Sequence, residues 1–180
     1  RGIFHAPETN GHNTLYFDFT THLAWNPDNV TLDGFLDSYA KRRYGREDAP
    51  AMRAALGNWV SAMHSDFIPY YYNANYAKMG EPRIAYNWPV FRTAIGEPGA
   101  PHGPKDTTRL GEMASAIAAG LACRATQQDN PLYIEDMTEW TKGYVELTFN
   151  WVLLEAYKAF KAGDVKRTHE AAEAARVCMK

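Results

Sequence analysis

YIEDMTEWTKGYVELTFNWVLLEAYKAFKA, residues 133 to 162, is the stretch that decides the fold class. Met137, Trp140, Tyr144, Leu147, Trp151 and Leu154 recur at intervals of three and four. That spacing draws one apolar seam along a helix. Val145, Phe149, Val152 and Phe160 add a second face, so the helix is expected to be buried on two sides. A strand cannot hold such a period, because its side chains alternate every second residue. Gly163-Asp164 then reads as a helix stop followed by a new cap, with a last helix running to about residue 178.

Working outward, the same period returns upstream. Leu110, Met113, Ile117 and Leu121 predict a helix over residues 106–126. Met52, Leu56, Trp59, Val60 and Met63 predict another over 48–65. Before it, Leu32, Phe35, Leu36 and Tyr39 form a stripe that reaches Tyr44, where Gly45 stops the helix. Thr31 reads as its cap, with Asp33 adding negative charge to the first turn. Arg42 and Arg43 lie in the last turn, where the helix dipole favours a solvated cation. Residues 14–25 fit both periods, and the continuation to Trp25 favours helix. Residues 1–14 and 67–105 are rich in Pro, Gly and Asn and read as loops. The expectation is a mainly α chain: a helical array after an N-terminal loop, with short up-down helices packed as neighbours.

Composition narrows the function. Among 180 residues, 46% are hydrophobic and 22% charged, which is globular. A net charge of −2 leaves no basic footprint for nucleic acid. No run of eighteen apolar residues is present, so no membrane span is expected. Cys123 and Cys178 lack metal-type spacing, and the sequence does not decide whether they pair. His5, His12 and His22 are spaced by seven and ten, unlike a zinc helix, so neither metal nor other cofactor is assigned. Asn29-Val30-Thr31 is a glycosylation tripeptide, relevant to a protein on a eukaryotic secretory route. Aromatics, at 13%, are in excess. Most suit core packing, and the Trp140, Tyr144 and Trp151 stripe is read as core. Tyr72 and Trp88, in the long loop, are candidates for a sugar platform, or pin that loop onto the helices.

Glu8 is the candidate catalytic group. It lies in Ala6-Pro7-Glu8-Thr9-Asn10, flanked by His5 and His12, after a possible strand end at Gly2-Ile3-Phe4. Barrel enzymes place catalytic carboxylates at such strand ends. His5 and His12 are placed to orient it or to meet substrate hydroxyls. Asp18, a possible second carboxylate, is expected on a solvated or interdomain side.

Ala6-Pro7-Glu8, Asn13, Leu23-Ala24-Trp25, Pro27-Asp28 and Arg42-Arg43-Tyr44-Gly45 occur in an order and spacing that resemble family 89 of the glycoside hydrolases, the α-N-acetylglucosaminidases. A weaker similarity covers Tyr86-Asn87 and the helix that opens with Tyr133-Ile134-Glu135-Asp136. Thr9 stands where that family has Gly. The resemblance implies that residues 1–25 end a catalytic (β/α) barrel and that 26–180 form an all-α C-terminal domain. It implies a retaining enzyme that removes terminal α-linked N-acetylglucosamine, with Glu8 as nucleophile and His5, Asn10, His12, Asn13, Tyr72 and Trp88 around the glycan. The general acid would lie in a barrel portion outside this chain, and a secreted or lysosomal location would follow. Two other readings remain open: a related barrel-plus-helix endo-N-acetylglucosaminidase, and a non-catalytic helical carbohydrate-binding or scaffold module.

Overall fold

The computed structural model describes residues 14–63 and 108–178. Of these, 89% are helical and none is in a strand, which settles the α class for the described residues. The elements are α1 (Thr14–Trp25), α2 (Leu32–Met63), α3 (Thr108–Ala122), the short α4 (Arg124–Gln127), α5 (Pro131–Lys161) and α6 (Val165–Cys178). Helix α2 packs along α3, and α5 packs along both α6 and α3.

Helix α2 is two arms joined at Gly45, whose φ of 80° and ψ of 168° break the helical path. The two helices expected around Gly45 are therefore present, but no loop separates them. That backbone region is open to glycine and strained for any residue with a Cβ. Thr31 caps the first arm as expected: its Oγ1 accepts the Gly34 N–H at 3.2 Å. Helix α5 begins at Pro131, two residues before the periodic stretch suggests. Asn130 caps it by accepting the Leu132 N–H at 3.1 Å, and Pro131 fills the first turn, where a missing N–H costs nothing. At the other end Gly163 turns with φ 73°, and Asp164 Oδ1 accepts the Arg167 N–H at 2.9 Å to start α6.

The core lies between both arms of α2, the middle of α3 and the first half of α5. Met52, Leu56 and Met113 are its largest fully buried side chains. Trp59 from α2 and Trp140 from α5 stack with centroids 5.3 Å apart and planes 16° from parallel. Gly143 faces this stack, and a Cβ there would stand 3.4 Å from the Trp59 ring, an ordinary contact distance.

The second half of α5 differs from expectation. Trp151 and Val152 are only half-buried, and Phe160 is 69% exposed, so the second face is not fully covered. At about 1.5 Å per residue, α5 is simply longer than the core it crosses, and its end meets α6 instead. Helix α1 is held more lightly, by Phe19 and His22 against Phe35, with ring centroids at 5.1 and 5.2 Å.

Replacing Gly45 with Ala is expected to cost about 1–3 kcal/mol from backbone strain alone, because a Cβ there meets no atom within 4 Å. Urea denaturation of the variant measures it.

Candidate functional site

The break at Gly45 creates a polar problem. A helix end leaves carbonyls without partners, and buried ones need donors. Arg43 O is met by Asn130 Nδ2 at 2.9 Å, and Tyr44 O by Gln127 Nε2 at 2.8 Å. Asn130 Nδ2 also donates to Gln127 Oε1 at 2.7 Å, tying the two amides together. Gln127 is the buried polar residue of the core, and these bonds explain its place there.

Beside this lies an ion pair. The Arg43 guanidinium grips Asp136 with two donors: Nε to Oδ2, and Nη2 to Oδ1 at 2.9 Å. Tyr44 Oη donates to the same carboxylate at 2.6 Å, and Glu135 Oε2 lies 3.2 Å from Arg43 Nη2. The side chains of Arg43 and Asp136 are only 9% and 12% exposed. Arg43 also lies over the Tyr39 ring, 5.5 Å from its centroid. Arg43 is thus not the solvated cation expected at a helix end. It is a buried fork, and Arg42 is the exposed member, reaching Asp18 of α1 at 3.1 Å.

The electrostatics follow from burial. Desolvation, with the Asp136 charge and hydrogen bond, pushes the Tyr44 hydroxyl well above the ordinary tyrosine value, so it stays a donor. Burial and the Asp136 charge raise Tyr39 likewise. For Arg43, burial opposes the charge but the Asp136 contact wins and raises it. Asp48 accepts from Thr126 Oγ1 at 2.6 Å and from Gln127 Nε2. Those hydrogen bonds hold its carboxyl below its ordinary 3.8. Asp136 accepts from three donors, and Asp48 is held as an anion. The cluster is a clamp between α2, α4 and α5.

A separate open groove of about 650 Å³ runs along α5 beside α3 and α4. Leu121, Tyr133, Ile134, Met137 and Val145 are its apolar lining, with Arg124 and Lys142 the cations beside them. Among the described residues that line it there is no carboxylate.

Of the residues read from the sequence as site members, His5, Glu8, Asn10, His12, Asn13, Tyr72 and Trp88 lie outside the described residues. Asn29 is exposed in the α1–α2 turn. Asp18 is partly exposed and pairs with Arg42. Cys123 and Cys178 are both free thiols. Among the described residues, no cluster of three or more His, Cys, Asp or Glu is arranged to hold a metal. No helix among them is long and apolar enough to cross a membrane.

Sequence reasoning assigned no role to Asp136, Gln127 or Asn130. A signal was available. Tyr133, Asp136, Met137 and Trp140 share one helical stripe, as do Leu36, Tyr39 and Arg43. Opposite charges on two core-facing stripes announce a buried pair.

No family model, curated protein or solved structure matches this chain.

Two expectations follow. Asp136→Leu leaves Arg43 short of its main partner and should cost about 3–5 kcal/mol. The Arg43→Met/Asp136→Leu double variant should lose less than the sum, as a double-mutant cycle by urea denaturation will read. For Asp48, the folded state favours the anion, so its contribution is complete above 3.8 and fades as pH falls below that value. The stability gap between the native chain and Asp48→Asn should therefore close on acidification, as pH-dependent melts will record.

Proposed function

We propose that this chain is the C-terminal part of a retaining glycoside hydrolase acting on terminal α-linked N-acetylglucosamine, with Glu8 as its nucleophile. Glu8 attacks the anomeric carbon, a covalent glycosyl-enzyme forms, and water releases the sugar. The general acid comes from a barrel portion outside these residues. His5, Asn10, His12 and Asn13 surround the reacting sugar, and Tyr72 and Trp88 offer it aromatic faces. The glycan substrate implies a secreted or lysosomal enzyme. The helices from residue 26 onward serve as the scaffold beside the barrel.

The observation that supports this reading is a meeting of two segments. Arg42-Arg43-Tyr44-Gly45 is one of the segments that carry the family resemblance, and Tyr133-Ile134-Glu135-Asp136 carries a weaker one. They lie about ninety residues apart in the chain, yet Arg43 and Tyr44 close on Asp136. Correspondence at two distant segments gains weight when both belong to one clamp.

A second reading is a non-catalytic helical module, favoured by the three donors that already hold Asp136. One experiment separates the two. In the intact enzyme, Glu8→Gln should lower hydrolysis of an aryl α-N-acetylglucosaminide by roughly three orders of magnitude or more, with an unchanged thermal midpoint. Undiminished turnover by that variant removes Glu8 as nucleophile and favours the module.

A further inference from the structure

The α1–α2 turn holds Asn29-Val30-Thr31, the sole Asn-x-Ser/Thr tripeptide in the sequence. The fold gives each of its members a distinct setting. Asn29 is exposed, its backbone N–H bonded to Asn26 O at 3.3 Å and its Nδ2 donating to Asn26 Oδ1 at 2.9 Å. Val30 is half-buried and anchors the turn against the core. Thr31 is exposed, and its hydroxyl caps α2 by accepting the Gly34 N–H. Four residues before Asn29, Trp25 ends α1 with its indole 85% exposed. That is the most exposed large hydrophobic side chain among the described residues. A scattered exposed apolar residue needs no explanation, but a bare indole four residues from an acceptor amide has a fitting cover in the apolar face of a pyranose.

We propose that Asn29 is an attachment site for an N-linked glycan, and that the first sugars of that glycan lie over Trp25. The donor is a lipid-linked oligosaccharyl pyrophosphate of the secretory pathway. Asn29 Nδ2 forms a bond to the anomeric carbon, the carbon–oxygen bond to pyrophosphate breaks, and the lipid pyrophosphate leaves with the electron pair. One Nδ2 proton passes to a base of the transferase. The remaining N–H is enough to keep the bond to Asn26 Oδ1, so the turn need not reorganise around the modification. Neither part of this inference depends on Glu8, since both are read by mass rather than by activity.

The full chain secreted from a eukaryotic host provides the test, by intact mass and peptide mapping before and after peptide N-glycosidase treatment. A glycan on the Asn29 peptide is expected, absent from Asn29→Gln. It is expected to be absent also from Thr31→Asn, which destroys the tripeptide but retains a cap-forming side chain. Hydroxyl-radical footprinting should show Trp25 oxidised several-fold more slowly in the glycosylated chain than after enzymatic deglycosylation. A secreted, folded chain with unmodified Asn29 overturns the site. A modified Asn29 with equal Trp25 oxidation before and after deglycosylation overturns the cover.

Discussion

The Arg43–Asp136 pair ties α2 to α5 through a bidentate contact between largely buried charged side chains. Two opposite charges sit on core-facing stripes of α2 and α5, so neither helix can bury its apolar residues without bringing them together. A guanidinium fork needs a carboxylate in its plane, and Tyr44 adds a third donor to the same group. The rotation of α5 about its axis and its register against α2 are thereby set together. The Trp59–Trp140 stack, one turn further along α5, is a consequence of that register as much as of its own attraction.

The break in α2 belongs to the same device. Gly45 turns the chain and frees carbonyls at Arg43 and Tyr44. Asn130 and Gln127 satisfy them from the α4–α5 junction, and Asn130 also caps α5. One amide thus serves the end of one helical arm and the start of another. This economy suits a scaffold, where a defined angle between elements matters more than any single bond.

Much of the helical pattern was legible because it follows from local rules. The three-and-four spacing around Trp140, the Thr31 cap and the Gly163-Asp164 stop each depend on a few adjacent residues. The start of α5 was placed two residues late, although Asn130-Pro131 pairs a cap residue with the imino acid favoured in a first turn. The clamp was not read, although its charges stand on apolar stripes. A stripe tells which face is buried but not which face of another helix it meets. Arg43 therefore passed for a solvated cation at a helix end, where the dipole alone gave it sufficient reason.

By itself the sequence determined the α class and the helix ends at Thr31, Gly45 and Gly163. Backbone propensity, capping and periodicity act within a few residues, so they can be read along the chain. Tertiary structure alone decided that Arg43 meets Asp136 and that Gln127 is buried under a broken helix. It also decided that α5 outruns its core to leave Phe160 exposed. Those outcomes depend on which faces approach in space, and burial raises the cost of an unpaired charge or carbonyl only once that approach has been made.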